Sequence, residues 1–131
     1  MASARKDIVL DTSVWIAILH EGDSQHKQAK KLLATHTEPV VVPEYVLLEV
    51  VTVLRNLKRY KEAERFMEQV LDDSGTFLPA DGLAYEVARV LPSAPKKLSF
   101  VDVALTVLAK DYKVVTLDKV LKRVIESGVK Q

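Results

Sequence analysis

A chain of 131 residues fits a single domain spanning 1–131, long enough to bury a continuous core without staples. Hydrophobic residues at 48% and charged residues at 28% give a globular balance, the lack of cysteine excludes disulfide and thiolate chemistry, and no apolar stretch is as long as a membrane span. The 19 basic and 18 acidic side chains leave a net charge of +1, which argues against a uniformly basic nucleic-acid binder and leaves charge to be judged by position.

The first seven residues include basic side chains but no apolar core of signal-peptide length, so a cytoplasmic protein is expected, with no membrane partner. Ile8, Val9 and Leu10 form a short apolar run ending at Asp11 and read as a strand. Thr12 and Ser13 open an apolar helix to about residue 20, and a second amphipathic helix fits 24–34, with Ala29, Leu32 and Leu33 on one face. A β-branched strand is expected at 39–42, and Pro43 suits the first turn of a helix running to about 57. Ala63, Phe66, Met67, Val70 and Leu71 give helical spacing over 60–71. Thr76, Phe77 and Leu78 suggest a brief strand, 83–91 a helix, and 92–97 a loop with two prolines. A helix starts at Ser99 and reaches about 110, a strand over 113–117 ends at Asp118, and a last helix covers 120–125, with Gly128 as its stop. This alternation predicts an α/β fold with a central parallel sheet, whose ligands belong at the carboxyl ends of the strands.

Four acids stand out against apolar surroundings. Asp11 and Asp118 end predicted strands, and each also suits a helix N-cap. Asp102 lies in an apolar helix as the third residue of a capping box with Ser99. Glu49 is the only charged residue from Tyr45 to Leu54, where an unpaired carboxylate is costly; it calls for a cation or for a salt bridge to Arg5, Arg55 or a lysine. In a doubly wound sheet, strand ends and the starts of the following helices share one edge, so all four acids can converge there. Carboxylates without His or Cys make a hard-ligand site suited to Mg²⁺ or Mn²⁺. His20, His26 and His36 lack metal-ligand spacing and read as exposed, which argues against zinc, and Trp15 reads as core.

The segments Ile8-Val9-Leu10-Asp11-Thr12-Ser13, Leu48-Glu49-Val50, Ser99-Phe100-Val101-Asp102 and Val115-Thr116-Leu117-Asp118 resemble, in order and spacing, the PIN-domain family, and within it the VapC-type toxins of toxin–antitoxin pairs. The resemblance spans nearly the whole chain. It implies a PIN-like single domain with a central parallel sheet of four or five strands flanked by helices, and Mg²⁺-dependent endonucleolytic cleavage of single-stranded RNA. Asp11, Glu49, Asp102 and Asp118 would then be catalytic acids, with Thr12 and Thr116 as supporting hydroxyls. Because Mg²⁺ binds few carboxylates directly, Asp11 and Asp102 are expected as direct ligands, with Glu49 and Asp118 acting through water. Lys96 and Lys97 precede the Asp102 helix, where a solvated loop is the simpler reading than phosphate contact. The family also implies a homodimer and an antitoxin partner. Two departures limit the carry-over, one of an additional ligand and the other of a fifth strand. Lys119-Val120-Leu121 follows the fourth acid where many relatives carry another acid or an aromatic, and Gln131 leaves little room for a fifth strand. A catalytically weak RNA- or protein-binding scaffold is the alternative function. A haloacid-dehalogenase-like phosphotransferase fits poorly, because Ser13 occupies the place of its second Asp.

Overall fold

The computed structural model describes residues 6–72 and 75–127. In chain order these form β1 (Ile8–Leu10), α1 (Thr12–Leu19), α2 (His26–Ala34), β2 (Val42–Pro43), α3 (Glu44–Asn56), α4 (Tyr60–Asp72), β3 (Phe77–Leu78), α5 (Leu83–Val90), a 3₁₀ turn (Leu91–Ser93), α6 (Phe100–Leu108), β4 (Lys113–Val115) and α7 (Lys119–Ser127). Gly128, with any strand beyond it, and Arg5 lie outside the described residues.

All strand pairing in named strands is parallel, as the helical connections require. β1 pairs with β4 in the register Ile8–Lys113, Val9–Val114 and Leu10–Val115. β2 pairs with β3 through Val42–Phe77 and Pro43–Leu78. The expected four- or five-stranded sheet is therefore replaced, among the described residues, by two two-stranded ladders. A single bridge between Ile8 and Val40 joins them. The cause lies in the segment between Pro39 and Pro43, both of which lack an N–H to donate. Within it the Val41 N–H donates to the Ile8 carbonyl on one side at 2.7 Å, and the Val42 N–H donates to the Thr76 carbonyl on the other at 2.7 Å. Each neighbour thus receives one hydrogen bond from this segment's N–H groups, too few for a continuous ladder.

β1 is fully buried, and its alternation divides the core. Val9 joins residues of α3 to α7, including Val46, Val50, Leu54, Phe66, Val103, Leu105 and Leu121. Ile8 and Leu10 pack on the opposite side with Val14, Ala17, Ala29 and Val115. Helices covering both faces explain why β1 is apolar throughout. Trp15 is partly buried and meets Phe66 edge to face, with centroids 4.9 Å apart. The helical spacing in α4 buries Ala63, Phe66 and Val70 and leaves Met67 and Leu71 exposed.

Helix starts differ from the sequence expectation for local reasons. α2 begins at His26 rather than at residue 24, because the Asp23 side chain closes a turn by accepting from the Gln25 N–H at 2.8 Å. Pro43 is the N-cap of α3 rather than its first helical residue. The three histidines are half-buried, not exposed, and His26 donates from Nδ1 to the Ala17 carbonyl at 2.6 Å, tying α2 to α1. Among the described residues, no helix is long and apolar enough to cross a membrane.

Candidate active site

Parallel pairing of β1 with β4 sets Leu10 beside Val115, so the chain leaves both strands at one sheet edge. Asp11 leaves there from β1, and the Thr116–Asp118 turn leaves there from β4. The Asp11 N–H still donates to the Val115 carbonyl at 3.1 Å. β4 ends two residues earlier than its sequence suggests, and the next residue, Thr116, is used for side-chain chemistry instead.

Asp11 is only 4% exposed and is the N-cap of α1. Its Oδ1 accepts from the Val14 N–H at 3.0 Å and from the Ser13 hydroxyl at 2.7 Å. Its Oδ2 accepts from the Thr116 hydroxyl. Burial pushes the Asp11 carboxyl above its ordinary value; the Thr116, Ser13 and Val14 donors pull it back, and the charge of Asp102 pushes it up again.

Asp102 and Asp118 share a division of labour. Asp102 Oδ2 accepts from the Ser99 N–H at 3.0 Å, completing the capping box, and its other oxygen has no hydrogen-bond partner among the described residues. Asp118 Oδ1 accepts from the N–H groups of Val120 and Leu121 at 2.9 and 3.1 Å in the first turn of α7, again leaving one oxygen over. The capping reading was therefore right for all three aspartates, and it does not compete with a site, because a carboxylate has two oxygens and several lone pairs. Glu49 differs. It is half-buried on α3 and has no hydrogen-bond or ion-pair partner among the described residues. The Arg55 guanidinium, one sequence candidate for its partner, lies instead over the Tyr60 ring, 5.3 Å from its centroid.

Side chains from four separate stretches of the chain meet at one cavity of about 460 Å³, lined by Asp11, Glu49, Asp102 and Asp118. Ile16, Val53, Val101 and Leu105 supply apolar wall. Thr12 lines it too, and its buried hydroxyl oxygen has no hydrogen-bond partner among the described residues. Thr116 does not line the cavity but acts on it through Asp11. Lys96 and Lys97 are exposed and do not line it either. Asp23 and Gln25, from the α1–α2 turn, do line it, and sequence reasoning missed them. Their only sequence signal is a polar turn after an apolar helix.

The charged donor set is all carboxylate, which suits a hard cation. The unpartnered Glu49, the orphaned Thr12 hydroxyl and the destabilised Asp11 anion each fit a nearby positive charge. Among the described residues, no group of three His, Asp or Glu side chains is placed to hold one ion jointly. A cation here would take one or two carboxylates and keep several waters, which is the habit of Mg²⁺.

A family model described as the PIN domain matches residues 8–126. The crystal structure of VapC20 from Mycobacterium tuberculosis, described as a sarcin–ricin loop cleaving toxin, superposes with a TM-score of 0.79. The two are 23% identical, and the match covers 95% of this chain and 97% of that one. PAE2754 from Pyrobaculum aerophilum superposes with a TM-score of 0.60 at 21% identity, covering 93% of this chain and 85% of that one. No curated protein sequence matches the chain. At these identities the structural likeness speaks for the fold.

Proposed function

The chain belongs to the PIN-domain family, and from that premise we propose that it is a metal-dependent endoribonuclease acting on single-stranded RNA, the toxin of a toxin–antitoxin pair. The observation that carries the reading is the meeting of Asp11, Glu49, Asp102 and Asp118, from four separate stretches of the chain, at one cavity. Asp11 and Asp102 would hold Mg²⁺ or Mn²⁺ directly, with Glu49 and Asp118 acting through water. When bound, the ion supplies Lewis acidity, an activated water and neutralisation of phosphate charge.

The rest of the chemistry belongs to the chain. Ser13, Thr116 and the Val14 N–H fix the Asp11 carboxylate, and the Ser99 N–H fixes Asp102, so both groups are oriented before any ligand arrives. Glu49 has no competing partner among the described residues and is the residue suited to take a proton from the attacking water. Ile16, Val53, Val101 and Leu105 limit bulk water beside the acids. The resemblance of the four acid-bearing segments to VapC-type toxins extends the proposal to a homodimer and an antitoxin partner.

The test is cleavage of a labelled single-stranded RNA by the purified protein, with Mg²⁺, with Mn²⁺ and with chelator, beside Asp11→Asn. A sarcin–ricin loop oligonucleotide belongs in the substrate set because of the VapC20 likeness. Metal-dependent cleavage by wild type and none by the variant supports the nuclease. RNA or protein binding with no cleavage under any metal leaves the scaffold alternative.

A further inference from the structure

Two aromatic side chains stand close to the acids in the chain: Tyr45, packed against the edge of the core, and Phe100, part-exposed and outside the caps. Tyr45 precedes Glu49 by one turn on α3, which puts both on one helix face. Phe100 is the first residue of α6, two before Asp102 and between Ser99 and Val101, which both line the acid cavity. The capping of α6 is already done by Ser99 and Asp102, so the end of the helix makes no demand for a ring there. The two rings meet edge to face, with centroids 6.0 Å apart and planes at 73°. Phe100 nevertheless remains 39% exposed, and Leu48, beside Glu49, is 58% exposed. The first turns of α3 and α6 therefore meet through two rings that flank, without lining, the acid cavity.

Resting on the nuclease reading, we propose that Phe100, braced by Tyr45, is a stacking platform for one unpaired base of the RNA strand whose phosphate enters the acid cavity. An edge-to-face pair fixes the Phe100 ring while leaving part of it open, which suits a flat π-surface. Single-stranded RNA presents such surfaces, and stacking on aromatic side chains is a common way to hold it. The acids repel the RNA backbone unless a cation is present, so an uncharged contact beside them is well placed to hold the strand. Because every base has a π-face, the platform positions the strand without reading its sequence.

The test compares Phe100→Ala, Phe100→Leu and Phe100→Trp. Each is titrated, with Ca²⁺ in place of Mg²⁺, with a single-stranded oligoribonucleotide carrying 2-aminopurine, and cleavage kinetics are then measured with Mg²⁺. Melting curves and light scattering accompany both. The expected result is quenching of 2-aminopurine by wild type and Phe100→Trp, but not by the Ala or Leu variants. KM should rise about tenfold for Ala and Leu alike, with kcat little changed. Wild-type behaviour of Phe100→Leu would show that apolar bulk suffices and would overturn the stacking proposal. Unchanged RNA affinity in Phe100→Ala, with a dimer turned to monomer, would overturn it in favour of a second copy on the rings. If wild type quenches 2-aminopurine but cleaves no RNA with any metal, the nuclease reading fails while the platform stands.

Discussion

Thr116 donates a hydroxyl hydrogen bond to the Asp11 carboxylate from 105 residues further along the chain, and accepts the Asp118 N–H at 3.0 Å with the same oxygen. One hydroxyl thus ties together two acids that leave the sheet edge from neighbouring parallel strands. It also places a donor on the most buried carboxylate described, where an unmet acceptor is expensive.

Thr116→Val should therefore be worse than its near-isosteric shape suggests. Losing a hydrogen bond to a charged group, and leaving the Asp118 N–H without its acceptor, should cost about 1.5–3 kcal/mol in unfolding measurements. Thr116→Ser should restore most of that. Equal stability of the Val variant and wild type would show that water replaces the hydroxyl without loss.

The raised Asp11 carboxyl has a pH signature. A group whose folded-state value lies above its ordinary 3.8 holds its proton more tightly when folded. Its contribution is fully present below the ordinary value and is lost as pH rises from there through the raised one. Metal-free wild type should lose stability across that rise relative to Asp11→Asn, which cannot ionise and whose amide oxygen still accepts from the Val14 N–H. At pH 7 the variant should be at least as stable as wild type. Denaturant unfolding of both proteins under chelator, from pH 3.5 to 8, makes the comparison. A difference independent of pH would remove burial of the charge as its cause.

Helices were legible in the sequence because their signal is local. Periodicity and caps placed the seven α-helices of the described residues to within a few positions, and the misplacement at α2 traces to one side chain, Asp23, closing a turn. The sheet was less legible because its strands are two or three residues long and paired across the chain, so two prolines outweigh any propensity. The acids were legible for different reasons. Glu49 showed because nothing apolar around it explains a charge. Asp11, Asp102 and Asp118 each carried two readings from one signal, and capping is now seen to coexist with a place at the cavity. Asp23 was illegible because its place at the cavity depends on how α1 packs against α2.

Glu49 offers a clean separation of structure from chemistry. It has no hydrogen-bond or ion-pair partner among the described residues, so Glu49→Gln breaks no bond there and removes one charge from an acidic cavity. Stability without metal should stay within about 0.5 kcal/mol of wild type or rise slightly. Cleavage should fall by roughly 10²–10⁴-fold, the usual range for loss of a general base. A variant that cleaves at the wild-type rate would remove Glu49 from the proposed chemistry.

Asp102 carries two roles that one substitution can divide. Its Oδ2 accepts the Ser99 N–H, while its charge sits near buried Asp11. In Asp102→Asn the amide oxygen still completes the capping box, and what is lost is the negative charge in the first turn of α6. That loss costs about 0.3–1 kcal/mol through the helix dipole. Relief of repulsion with Asp11 acts in the opposite direction, so the metal-free variant should lie close to wild type. With Mg²⁺ the two should part. Wild type should gain about 2.7 kcal/mol at a hundredfold excess over the dissociation constant. The variant, with one carboxylate fewer, should lose most of that gain together with RNA cleavage. Melting curves of both proteins, with and without Mg²⁺, read the two roles separately. A variant destabilised by the dipole cost alone, yet showing the wild-type Mg²⁺ gain and wild-type cleavage, would leave Asp102 as a cap and nothing more.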